Sequence, residues 1–240
     1  MMDRAMYASA SGMAAQQQNL DVVADNLANA DVVGFKSAQA TFAPIGPNAM
    51  LGTVSAGVRE ILSQGKLERS GGPFDVALQG AGFFVVERDG ALGYTRAGSF
   101  SRASDGSVCN AAGWKLRGVR IPSNAQSLSV AADGLVSVDP GDRTRRPVGH
   151  IELATFDAPE NLRVVDGAVF GAGALSGRAR MLSAGEGKTT VAFGMLEKSN
   201  VSIVESMMAI LAAQRAYEAN AKGVQAADEM LRIANNLHRS

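Results

Sequence analysis

Apolar residues recur every seven positions along the C-terminal run from Ser199 to Leu237: Ile203, Ile210, Tyr217, Val224 and Leu231. Val204, Met207, Leu211, Ala221 and Ala227 widen that line into a stripe. A sustained seven-residue repeat predicts one long helix whose seam faces another helix. Ser202-Ile-Val-Glu205 has the form of a capping box, in which the Ser oxygen and the Glu side chain satisfy free amides of the first turn. At about 1.5 Å per residue the helix is roughly 50 Å long. A compact domain of this size cannot cover it, so it needs a partner. A matching pattern lies at the other end. Between Asp3 and Ala30, Met6, Met13, Leu20 and Leu27 are again seven apart, and the surrounding alanines favour helix. The two patterns predict terminal helices that pair as a coiled coil. The plainer alternative is two amphipathic helices packed on the middle of the chain.

The middle has a different rhythm. Phe83-Phe-Val-Val is apolar and strand-prone. Asp89-Gly90, Asp105-Gly106 and Asp133-Gly134 are hairpin-turn dipeptides. Leu128 to Val130, Leu135 to Val138 and Ile151 to Phe156 alternate as half-buried strands do. The expected fold class is therefore α+β, with long N- and C-terminal helices and a central antiparallel β domain. The expected boundaries are 1–36 for the first helix, 37–72 for an extended connector, 73–193 for the β domain and 194–240 for the second helix. Pro44, Gly46, Pro47, Gly52 and Gly57 exclude a helix from the connector. Its apolar residues Val54, Val58, Ile61, Leu62 and Leu67 predict that it packs on something.

Charge and chemistry narrow the function by exclusion. Lys and Arg number 23 and so do Asp and Glu, which argues against a nucleic-acid binder or an electrostatic membrane binder. Cys109 is the only cysteine, so neither an internal disulfide nor a cysteine metal site is available. The chain opens straight into helix without an apolar signal core, and it has no apolar run long enough to span a membrane. That reads as cytosolic, or as exported by a route that needs no conventional signal. The histidines are His150 and His238, and neither has neighbours at metal-ligand spacing. Gly80-Ala-Gly82 precedes a strand, where a dinucleotide site requires a helix. Glu186-Gly-Lys-Thr189 lacks the upstream glycine of a phosphate loop, and Arg143 to Arg146 reads as a solvated basic turn. No catalytic, cofactor or metal residue emerges. A self-contained carbohydrate- or protein-binding β module is the competing class. It needs exposed aromatics, whereas Trp114, Tyr94 and the phenylalanines fall in core-like positions.

The most distinctive stretch follows the first helix: Asn26-Leu-Ala-Asn29, then Gly34-Phe35-Lys36. Asn26 and Asn29 suit a helix end, and Gly34 suits a left-handed turn. These residues resemble the N-terminal signature of the flagellar basal-body rod and hook proteins. Asp75 to Phe84, Tyr94 to Phe100, Ile121-Pro and Ala132 to Ser137 resemble the central block of that family. Ser199-Asn200-Val201 and Gln214 to Asn220 resemble its closing helix. The similarity runs in order over nearly the whole chain.

The resemblance implies a structural subunit without an active site, cofactor or metal. Such a subunit self-assembles through its terminal helices into the basal-body rod, the drive shaft that carries torque across the periplasm to the hook. It implies other rod proteins and the flagellar type III export apparatus as partners, with no nucleic acid and no membrane insertion. Within the family, the opening residues and the Pro73 to Leu78 block resemble the proximal-rod branch. The Gln214 to Glu218 stretch resembles the distal-rod branch, and the proximal one is preferred. The expected assembly seam is Met13, Leu20, Leu27, Ile203, Ile210, Tyr217, Val224 and Leu231. The expected geometry-setting motif is Asn26, Asn29, Gly34, Phe35, Lys36, Ser199, Asn200 and Val201.

Overall fold

A computed structural model describes residues 2–45, 52–141, 144–185 and 189–237. Gly46 and Pro47 of the connector, Arg143 of the basic turn, Glu186 to Lys188, and His238 lie outside the described residues. The chain divides into two compact units. One comprises residues 1–30, 38–61 and 201–240; the other comprises 31–37 and 62–200.

The first unit holds α1 (Met2–Ala28), the hairpin β1 (Ala38–Pro44) and β2 (Thr53–Glu60), and α2 (Ile203–Leu237). The amide of Glu205 donates to Ser202 Oγ at 3.4 Å and that of Ser206 to Ser202 O at 2.9 Å, so α2 begins at the predicted cap. The helices pack against each other in antiparallel directions. A Cβ added at Gly12 would meet Asn220 at 2.9 Å, and one at Gly223 would meet Ser9 Oγ at 3.0 Å. The backbones approach closely because these contact residues are small. Besides Asn26, the buried positions of the two helices are accordingly the small residues Ala15, Ser206, Ala213 and Ala227. Of the expected seam, Met13, Leu20, Leu27, Ile210, Val224 and Leu231 are half-buried along the flank of this line, while Ile203 and Tyr217 are exposed.

The stretch 37–72 is not one body. β1 and β2 pair in antiparallel register from Ala38↔Glu60 to Pro44↔Thr53 and pack on α1. Packing of this kind is what lets a two-stranded hairpin persist. The remainder enters the second unit as β3 (Leu67–Arg69).

The second unit continues with β4 (Val76–Gln79), β5 (Phe83–Arg88), β6 (Ala91–Thr95), β7 (Ser101–Arg102), β8 (Ser107–Cys109) and β9 (Lys115–Arg120). Then come β10 (Ser127–Val130), β11 (Leu135–Asp139), β12 (Arg146–His150), β13 (Leu153–Thr155), β14 (Arg163–Asp166) and β15 (Val169–Gly171). β16 (Arg180–Leu182), β17 (Thr190–Phe193) and β18 (Met195–Glu197) complete it. The main sheet runs β10-β11-β12-β9-β5-β6-β15-β14, and its pairings are antiparallel. β17 pairs with β4 and β18 with β3.

β5 is buried on both faces, which explains its unbroken apolar run. Phe84 and Val86 join a core with Trp114, Leu116, Val136, Ile151 and Leu153. Phe83 and Val85 join a second core with Tyr94, Phe156, Leu162 and Phe170. Phe83 meets Phe156 and Phe170 edge-on, each at 6.0 Å. Trp114 is buried, and its Nε1 donates to Asp166 at 3.2 Å. Trp114, Tyr94 and most phenylalanines of this unit thus pack the core, as the strand positions predicted, while Phe193 is exposed.

Candidate assembly site

The residues after α1 and before α2 carry the family motif, and in the second unit they converge on a buried ion cluster. Lys36 and Glu197 are fully buried and Arg96 nearly so. Lys36 Nζ donates to Glu197 Oε1 at 2.5 Å and to Ser63 O at 2.7 Å. Arg96 Nη1 donates to Glu197 Oε2 at 3.3 Å, and its Nη2 to Gly80 O at 2.7 Å. The Gly65 amide is the third donor to the Glu197 carboxylate, reaching Oε1 at 2.9 Å. The guanidinium also lies over the Phe83 ring at 5.5 Å. The cluster holds two cations and one anion. Burial pushes the Lys36 ammonium below its ordinary pKa against the pull of Glu197, and it does the same to Arg96.

Each member arrives from a different segment. β18 pairs with β3 at Glu197↔Leu67, which aims the carboxylate inward. Gly34 takes φ +70 and donates its amide to Glu197 O at 2.7 Å, bringing Lys36 into reach. Ser37 N donates to Asn200 Oδ1 at 2.7 Å, and Asn200 Nδ2 reaches Ser63 Oγ at 3.0 Å. Gly34, Lys36 and Asn200 are therefore drawn into one polar junction. Phe35 and Ser199 are half-buried beside them in sequence. Ser37 is the last residue of this unit before β1, and Asn200 the last before α2.

Asn26, Asn29 and Val201 belong to the first unit. Asn26 is buried and pairs like a strand residue with Ala38: its Nδ2 donates to Ala38 O and its Oδ1 accepts from Ala38 N, both at 2.7 Å. Asn29 closes α1 through bonds to Asp25 O from its amide at 3.1 Å and from its side chain at 2.8 Å. Val201 is half-buried just before α2.

Near that helix end, burial and the Asp25 charge raise the Glu60 carboxyl from 4.5 to about 6. The folded state therefore binds the extra proton between those values, and stability falls as pH rises through them. Glu60→Gln should stabilise the first unit at pH 7.5 by about 1 kcal/mol after discounting for solvent screening. The gain should vanish below pH 4.5. Helical circular dichroism during urea unfolding at both pH values checks this, and an equal gain at both would refute the assignment.

Arg96 and Glu197 were missed as site residues in the sequence. Arg96 sits inside a recognised block, but Glu197 carries no local signal because its partners are 101 and 161 residues away. Among the described residues no group of three metal-ligating side chains occurs, and no helix is long and apolar enough to cross a membrane.

The chain thus has a β body with a buried polar junction at both exits and two terminal helices. The comparisons agree along the chain. Residues 6–36 match the model for flagella basal body rod protein. Residues 77–138 match the flagellar hook protein FlgE/F/G D1 domain, and 193–237 match the flagellar basal body rod FlgEFG protein C-terminal. The FlgG rod protein of Borreliella burgdorferi is 36% identical over 99% of this chain and 100% of its own length. That of Caulobacter vibrioides is 34% identical over 98% and 99%. The FlgF rod protein of Salmonella typhimurium is 33% identical over 98% of each. The chain belongs to the flagellar basal-body rod protein family. It is a structural rod subunit and not an enzyme.

Proposed function

We propose that the terminal helices pair as a coiled coil and pack against those of neighbouring rod subunits, building the tube that transmits torque across the periplasm to the hook. The observation that carries this is the apolar surface the single chain leaves open. Val204, Met208 and Leu211 on the first turns of α2 are 69%, 66% and 56% exposed. Ile203 and Met207 lie among them, also exposed. Contiguous apolar surface of this kind marks an interaction site. The expected seam residues Met13, Leu20, Leu27, Ile210, Val224 and Leu231 continue it as half-buried flanks, with Ile203 and Tyr217 available to a neighbour. In this reading the flagellar type III apparatus exports the subunit without a cleaved signal.

The two rod places differ in support. The sequence motifs favoured the proximal place, as does length: the Borreliella alignment runs to 265 positions against 240 residues here. Identity leans only slightly to the distal place: FlgG proteins run from 30% to 36%, three of them above the 33% of the FlgF protein. We assign the distal place on identity over full length. Gold labelling of a tagged chain in purified basal bodies tests it: label in the hook-side half supports the assignment, and label at the membrane end restores the proximal one.

Assembly itself is tested by Leu211→Asp. The side chain is exposed, so the isolated protein should keep its stability within about 0.5 kcal/mol. In a host lacking its own copy, the variant should leave cells without rods and non-motile, because a carboxylate would be buried unpaired between subunits. Normal motility with intact rods would overturn the helix-packing reading.

A further inference from the structure

Two features of the β-rich unit lack a partner within it, and they lie at opposite ends of its sheet. At one end the β5–β6 hairpin turns through Asp89 and Gly90. Asp89 is exposed at φ +52, and among the described residues its carboxylate makes no hydrogen bond or ion pair. The following Leu92 is exposed as well. The tip is therefore an acidic knob with an apolar shoulder.

At the other end a cleft of about 510 Å³ opens between the β7–β8 turn and the β9–β10 loop, lined by Arg102, Ser104, Arg120, Pro122 and Val148. A second cleft of about 330 Å³ adjoins it, sharing Arg102 and Ile121 and adding Phe74, Leu128 and Phe193. Arg102 stands between the two. Among the described residues its Nε is buried with no hydrogen-bond partner, and its guanidinium has no ion pair there. The other charged groups there have hydrogen-bond partners. Arg120 donates to Asp105 O from Nε at 3.2 Å and from Nη2 at 3.0 Å. The Asp105 carboxylate accepts from Ser107 Oγ at 2.5 Å and Lys115 Nζ at 3.0 Å, which hold it well below the usual carboxylate range. The cleft therefore presents one cation with an unsatisfied donor, bordered by the apolar Ile121, Pro122 and Val148 and by the polar Ser104, Asp105 and Ser123. A buried donor without an acceptor is rare in native structures, and because Arg102 as a whole is only half-buried, an anion from outside would balance its charge.

Strand register fixes the ends. Glu87 pairs with Lys115, so β9 begins near the hairpin tip. Arg120 pairs with Ser107, so the cleft lies at the far end of β9. At about 3.3 Å per residue, that places the knob and the cleft roughly 20 Å apart along the strands.

We propose that the Asp89 tip of one copy seats in the Arg102 cleft of the next, its carboxylate completing the guanidinium and Leu92 meeting the apolar wall. Complementary surfaces on opposite ends make a head-to-tail contact that propagates without closing on itself. The inference rests on the reading that copies of this chain assemble, and it identifies a contact between their β bodies that is separate from the helices. A desolvated ion pair at that contact fixes register between neighbours.

Cysteine pairing tests it. The Cys109→Ser chain is expressed in the source bacterium lacking its own gene, with Asp89→Cys and Arg102→Cys added together. Oxidised basal bodies should yield a ladder of disulfide-linked multimers, and either cysteine alone should yield none. The two positions are too distant to link within one copy. A chain that is incorporated yet remains monomeric on non-reducing gels overturns the proposal. Absence of the unsubstituted chain from the basal bodies would instead refute the assembly reading itself. If only the cysteine pair fails to incorporate, charge exchange decides. Asp89→Lys and Arg102→Glu should each reduce swimming at least tenfold, and the double variant should restore it, with all three purified chains unfolding at the wild-type temperature. Normal swimming of either single variant, or no rescue by the double, overturns the contact.

Discussion

Glu197→Ala should lower the stability of the β-rich unit by about 3–5 kcal/mol, the range for removing one partner of a buried charge pair. The size follows from what is left behind. Glu197 is the single anion between two buried cations, and it accepts from Lys36, Arg96 and the Gly65 amide. Without it, two positive charges face each other in a site that already disfavours them. Lys36→Met is the informative contrast. It removes one cation and leaves the balanced Arg96–Glu197 pair, so it should cost at most about 1 kcal/mol despite the lost bond to Ser63 O. The chain has one tryptophan, Trp114, and it lies in the core of this unit. Its fluorescence during urea unfolding therefore reports the unit directly. Equal losses in the two variants would refute the charge-balance argument.

The same cluster sets a pH dependence. The Lys36 ammonium has a folded pKa below its ordinary value of 10.5, so the unfolded state binds more protons between the two. Stability should therefore rise with pH through that window. The Tyr94 hydroxyl, which burial raises above 10.0, acts in the opposite sense only at higher pH. Lys36→Met should abolish the rise below pH 10, and a slope unchanged in that variant would assign it to another group.

What the sequence revealed follows from the range of the interactions. The helices announce themselves through local periodicity, and the Ser202 cap lies at the residue where α2 begins. The strands announce themselves through turn dipeptides. Asn26, Gly34, Lys36 and Asn200 stood out as a motif, but the motif gave no hint of why a lysine was required. That reason is Glu197, which lies in a three-residue strand between Leu196 and Lys198 and looks like any surface acid. The pairing of β1 with β2 was hidden for a related reason. Their alternation is weak because one face packs on α1 while Val54 and Val58 remain exposed. The helix seam was half visible. Seven-residue spacing marked the large residues, but close approach in the single chain is decided by Gly12, Ala15, Ala213 and Gly223, which carry little hydrophobic signal.

Gly34→Ala should be the most damaging single-methyl change in the family motif, costing at least 3 kcal/mol in the β-rich unit. Two effects combine. The residue holds φ +70, where an L side chain costs about 1–2 kcal/mol. The added Cβ would also lie 2.3 Å from Ala97 N and 2.5 Å from its Cα. Those are backbone atoms, so the collision cannot be relieved by rotating a side chain. The segment would have to move, and the bond from the Gly34 amide to Glu197 O and the approach of Lys36 would move with it. Gly113→Ala separates the two effects. Gly113 has a similar φ of +81 in the same unit, but a Cβ there meets nothing within 4 Å. It should lose only the conformational part, about 1–2 kcal/mol. Urea unfolding followed by Trp114 fluorescence measures both, and matching losses would show that backbone conformation alone, rather than contact with Ala97, demands glycine at position 34.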